Sequence, residues 1–118
     1  MSWKQFETII NSLDNQAGDD VNLDQIDVNG NIINRMLVSG GKDNRVALYY
    51  YPDPYDIEPC YILLDCSQSE PVELVIGGAK MPFPKPERAV SKKLALEALE
   101  YFYKNQEFPS HLDWELIS

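Results

Sequence analysis

From Val72 to Trp114 the chain leaves itself almost no slack. It runs V-E-L-V-I-G-G, then M-P-F-P-K-P, then an apolar run behind a serine, then F-P-S-H-L-D-W. Val72, Leu74 and Ile76 alternate with Glu73 and Val75, the period-two pattern of a strand. Gly77-Gly78 then turns the chain. Pro82, Pro84 and Pro86 carry no amide proton, so the stretch from Lys80 must be an edge strand or an extended cover. Ser91 can cap a helix that reaches about Asn105, with Leu94, Ala95, Ala98, Leu99 and Phe102 as its buried stripe. Lys92 and Lys93 fall at the positive end of that helix, a mild mismatch with its macrodipole. Beyond Phe108-Pro109 the tail from Leu112 to Ile117 is expected to fold back onto a sheet.

The earlier residues supply the rest of that sheet. Ser2 with Gln5 makes a capping box, and Trp3, Phe6, Ile9, Ile10 and Leu13 form one apolar stripe, so Ser2 to Leu13 reads as a core-facing helix. Asp14 to Asp27 is polar and acidic, with Asp14, Asp19, Asp20, Asp24 and Asp27 forming a solvated surface connection. Val21, Leu23, Ile26 and Val28 could hold it down as a short strand or turn. Asn29-Gly30 signals a turn. Ile32 to Val38 and Arg45 to Tyr51 then read as a hairpin with a loop of about six residues, Gly40 and Gly41 supplying positive φ where the bend needs it. Cys60 to Cys66 carries apolar residues on both faces, as a central strand does. The expected fold class is α+β: an antiparallel sheet of about four to six strands with an N-terminal and a C-terminal helix packed on it, in one domain spanning residues 1–118.

Within a strand the two cysteines would lie about 20 Å apart, too far to bridge, and both read as buried small hydrophobes in a reducing compartment. No apolar run approaches a membrane span and the N-terminus has no signal-peptide core, which points to a cytoplasmic protein. Nineteen acidic against ten basic residues give a formal charge of −9. Such a surface repels phosphate backbones, disfavouring direct nucleic-acid binding, and it speeds encounter with a basic protein.

Reactive constellations are hard to find. His111 is the one histidine, and an enzymatic reading would need it with Asp113 or another acid around a pocket. No nucleophile elbow, phosphate loop or calcium-loop order is legible, so no catalyst, cofactor or metal is expected. The segment Tyr49 to Pro59 stands out more, with four tyrosines, three acids and three prolines. Strand alternation turns part of Tyr49–Tyr51 into the core, whereas Tyr55 lies beyond the strand between Pro52, Pro54 and Pro59. Prolines lower the entropy lost when a loop is ordered against a partner, and tyrosine among carboxylates suits a surface rich in Lys and Arg. Asp43, Asp53, Tyr55, Asp56, Glu58 and Glu70 lie on loops, are charged or aromatic, and are not needed by the strand pattern. They are the candidate binding residues, with Tyr55 as the anchor.

The C-terminal order resembles that of immunity protein family 1, small antidote proteins of bacterial polymorphic toxin systems. The resemblance rests on Gly77-Gly78 after a strand, the apolar–proline link, the helix with Ala95, Leu99 and Phe102, and the closing Pro109 and Trp114. It covers about residues 72–115, is looser over 30–66, and before that extends only to an opening helix. Lys92-Lys93 and the proline-rich Lys80–Pro86 link depart from the pattern. The resemblance implies a non-enzymatic cytoplasmic protein that binds a cognate toxin domain, commonly a nuclease or nucleic-acid deaminase, and blocks its active site or substrate path. It carries over no catalytic or contact residues. A non-catalytic adaptor, binding through the edge near Met81–Phe83, is the alternative.

Overall fold

A computed structural model describes residues 2–16 and 20–118. Helix α1 spans Trp3–Asn11, and Ser2 caps it: the Gln5 amide donates to the Ser2 hydroxyl at 3.2 Å while the Ser2 amide donates to Gln5 Oε1 at 2.9 Å. The strands are β1 (Val21–Ile26), β2 (Ile32–Lys42), β3 (Arg45–Tyr51), β4 (Tyr61–Leu63), β5 (Val72–Ile76) and β6 (Ala79–Phe83). A short 3₁₀ turn at Pro86–Arg88 leads into β7 (Val90–Ser91), helix α2 (Lys92–Asn105) and β8 (Trp114–Leu116).

Among the described residues six strands form an antiparallel sheet in the order β1-β2-β3-β4-β8, with β7 beside β3. Strand alternation sorts its side chains into two buried layers. On one face Met36, Val38, Val46, Leu48, Tyr50 and Leu63 meet the stripes of α1 and α2. On the other, Ala47 and Ile62 meet Val72, Leu74 and Phe83 from a separate β5–β6 hairpin. The α+β expectation therefore holds, with the sheet sandwiched between helices and a two-stranded ribbon. Pro82 sits in that ribbon opposite Glu73, on a strand with one partner only, where a missing amide proton costs no second ladder bond.

Several local expectations are corrected. The β2–β3 loop is two residues long, because Gly40 and Gly41 stay in the strand as a bulge while Asp43 and Asn44 take positive φ of 54° and 61°. Gly41 is required there: a Cβ would overlap the Leu13 carbonyl and come within 2.7 Å of the Asp14 amide nitrogen. The Cys60–Cys66 strand stops at Leu63: the Leu64 amide still donates to the Asp113 carbonyl at 2.9 Å, but the Asp65 amide turns to the Glu87 carbonyl at 2.7 Å. Asp65 turns the chain away, its buried carboxylate accepting from Ser67, Gln68 and the Ser91 amide. Cys60 is consequently buried and Cys66 exposed.

The acidic stretch is less of a solvated surface than expected. It carries the edge strand β1, on which Asp24 pairs with Arg35; just before it Asp20 accepts from the Ser39 hydroxyl, and just after it Asp27 accepts from the Asn29 and Asn31 amides. Asp19 lies outside the described residues. Two cations are structural. Lys92, 7% exposed, reaches back across the fold to donate to the Asn11 and Leu13 carbonyls at 3.1 and 2.6 Å, at the negative end of α1. Its placement resolves the mismatch expected at the start of α2. Arg45 donates to the carbonyls of Ala89, Glu70 and Pro86 at 2.9, 2.6 and 2.8 Å, tying the strand to the connections on either side of the ribbon.

Candidate functional site

The loop that follows β3 is exposed yet internally tied. Asp53 accepts from the Tyr55 amide through its carboxylate at 3.0 Å and from the Asp56 amide through its carbonyl at 3.2 Å. Asp56 in turn accepts from the Glu58 amide at 3.2 Å. The C-terminus closes the far side: the Cys60 amide donates to the Ser118 carbonyl at 2.7 Å, and the Ser118 hydroxyl donates to the Ile57 carbonyl. The Glu58–Pro59 peptide is cis. Tyr55 and Ile57 are each 77% exposed on this frame, flanked by the exposed acids Asp53, Asp56 and Glu58. An apolar pair held in place by short-range bonds and prolines loses little conformational freedom on contact with a partner. Ile57 stands beside Tyr55 as a second large exposed side chain of the loop. Its position as the lone aliphatic between acids and prolines was the available signal.

The loop overhangs the part of the sheet that the ribbon leaves bare. Between them lies a cleft of about 420 Å³. Its floor is Asn22, Arg35, Leu37 and Tyr51 of β1, β2 and β3, and its outer wall is Tyr55, Asp56 and Ile57. Asp20 closes one end, its carboxylate also 3.4 Å from the donating Gly77 amide at the ribbon turn. Arg35 makes a two-point contact with Asp24, Nε to Oδ1 at 2.7 Å and Nη2 to Oδ2 at 3.2 Å, which raises its pKa above the ordinary value. Burial pushes the Tyr51 phenol well above its ordinary value, and the adjacent Cys60 thiol adds to the shift. Burial likewise raises the Cys60 thiol, partly offset by its hydrogen bond with Tyr51. Tyr51 is therefore a neutral aromatic wall at physiological pH, and Cys60 is a thiol rather than a thiolate.

The chain matches no protein-family model, no curated protein and no solved structure.

Of the six residues singled out from sequence, Asp53, Tyr55, Asp56 and Glu58 come together on this loop. Asp43 and Glu70 do not join them. Both are exposed, Asp43 in the β2–β3 turn and Glu70 beside Arg45, which holds its carbonyl. The seven residues of β3 separate the two groups by about 20 Å at the usual strand rise. A second groove of about 310 Å³ runs between β6 and the β4–β8 edge, with Tyr49 and Ile62 inside and Met81 and Ile117 at its rim. Arg88 crosses it to Glu115 at 2.8 Å.

His111 is exposed and lies against Tyr101, ring centroids 4.7 Å apart, while Asp113 faces the Cys66 sulfur at 3.9 Å. Among the described residues no group of three His, Cys, Asp or Glu side chains is arranged to hold a metal ion. No helix among them is long and apolar enough to cross a membrane.

Proposed function

We propose that this chain is a non-catalytic inhibitor that binds a basic protein partner, acting in the cytoplasm as the immunity protein of a cognate toxin domain. The observation that carries the reading is the 52–59 loop: two exposed anchors, Tyr55 and Ile57, on a hydrogen-bonded frame, ringed by three carboxylates. A central aromatic and aliphatic pair supplies the desolvated contact, and the acids around it select lysine and arginine on the partner. The net charge of −9 extends that selection to long range, steering a nucleic-acid-acting toxin by the charge its substrate would carry. The C-terminal resemblance to immunity protein family 1 supports the same role. Covering the toxin's active site or its substrate path would be enough to neutralise it, with no reaction performed by this chain.

A second reading is a regulatory adaptor that docks through the apolar groove beside Met81 and Phe83. Its support is the exposure of Met81 at the rim of that groove. Co-expression with the product of the adjacent gene separates the two. Growth rescue together with a co-purifying complex is expected for the inhibitor. A neighbour that is not toxic, or a toxic one that this chain neither binds nor restrains, would overturn it.

A further inference from the structure

We propose that the cleft beneath the loop receives one arginine side chain of the partner, an assignment that rests on the inhibitor reading above. The lining combines the two features a guanidinium seeks. Tyr51 and Tyr55 supply aromatic surface from the sheet and the loop, and Asp20 and Asp56 supply carboxylates on the same cleft. The cation already present does not compete for them. Arg35 is committed to Asp24 by two hydrogen bonds, and so acts as a fixed part of the floor.

The local charge decides the sign of the occupant. Asp20, Asp24 and Asp56 oppose Arg35 alone, three carboxylates against one guanidinium, so an anion is repelled and a cation is drawn in. The walls are already in place. Asp20 is held by Ser39 and the Gly77 amide, Asp56 by the Glu58 amide, and Tyr51 is half-buried in β3. Between the two basic side chains the planar group fits better: arginine can stack on a ring while donating in plane to a carboxylate, whereas lysine carries a compact, strongly hydrated charge. The cleft also runs under the exposed Tyr55 and Ile57, so an arginine inserted there would lie beneath the same contact that covers the two anchors.

The test is a backbone-amide NMR titration of the full chain with the capped tripeptide acetyl-Gly-Arg-Gly-amide. The same peptide with citrulline, and then with lysine, in the central position serves as the comparison. Saturable shifts confined to Asn22, Leu37, Tyr51, Tyr55 and Asp56 are expected. Citrulline, which keeps the shape and loses the charge, should bind about tenfold more weakly or worse, and Asp56→Asn should weaken the arginine peptide by a similar factor. Asp56 is exposed, so that variant keeps its fold, checked by an unchanged thermal midpoint. Absence of saturation, equal binding of citrulline or lysine, or shifts centred elsewhere would each overturn the assignment. Retained protection in the co-expression assay alongside a failed titration would remove the arginine pocket and leave the inhibitor reading. A successful titration without protection would do the reverse.

Discussion

Replacing Lys92 by Met removes one ammonium and leaves the aliphatic stem, so the volume of the site barely changes. The loss falls on two carbonyls at the end of α1, Asn11 at 3.1 Å and Leu13 at 2.6 Å, in a place where Lys92 itself is only 7% exposed. Each carbonyl stripped of a charged donor inside the fold costs about 1–3 kcal/mol, and relief of the buried charge returns part of that. A net loss of about 2–4 kcal/mol follows. With 118 residues the unfolding entropy near the midpoint is about 0.25 kcal/mol/K, so the midpoint should fall by about 8–16 °C. The neighbouring Lys93 is exposed, and Lys93→Met should stay within about 0.5 kcal/mol of the parent, or about 2 °C. Thermal unfolding followed by circular dichroism at 222 nm reads both variants. If the two melt together, Lys92 does not tie α1 to α2 and the account of this junction is wrong.

Gly41→Ala should cost at least about 3 kcal/mol, because its Cβ would meet backbone atoms at a φ of +119° that an L side chain already resists. Gly78→Ala, with open space around it, should lose only the strain of about 1–2 kcal/mol; equal urea midpoints for the two would contradict the packing argument. Burial works to raise the pKa of Asp65, but hydrogen bonds from Ser67, Gln68 and the Ser91 amide outweigh it and hold the carboxyl below its ordinary 3.8. A depressed folded-state pKa contributes stability above the unfolded value that is lost as pH falls through the folded one. Asp65→Asn should therefore be less stable than the parent at pH 7, with the gap closing below about pH 4. Denaturant curves at pH 7 and pH 3 with an unchanged gap would show that ionisation is not what makes Asp65 useful there.

The elements governed by local rules were readable in advance. Ser2 with Gln5, Ser91 before its apolar stripe, and Pro82 of β6 act within a few residues, and each did what its chemistry requires. The misreadings came where a distant partner decides. Nothing near Lys92 in the chain indicates that it completes a helix end eighty-one residues away. Gly40-Gly41 looked like the bend itself; the approach of Leu13 keeps the glycines inside the strand and leaves the turn to Asp43-Asn44. The early end of β4 depends on Glu87, twenty-two residues on, whose carbonyl takes the Asp65 amide. At the candidate site, composition was enough to single out Tyr55 and its acids. The separation of Asp43 and Glu70 from them, and the cleft floored by Arg35 and Tyr51, follow from strand register that a loop's own residues do not encode.

The most direct measurement is the affinity of two variants for the toxin domain identified by co-expression, read by titration calorimetry. Tyr55→Ala with Asp56→Lys alters the loop, raising the net charge by two. Asp43→Asn with Glu70→Lys alters the far end of β3 and raises it by three. Both pairs are exposed, so thermal midpoints should stay within about 2 °C of the parent. The loop variant is expected to lose about 100-fold or more in affinity, while the far-end variant, despite the larger charge change, stays within about threefold. A loop variant that binds as tightly as the parent, or a far-end variant that loses as much, would contradict the claim that the Pro52–Pro59 loop is where this protein meets its partner.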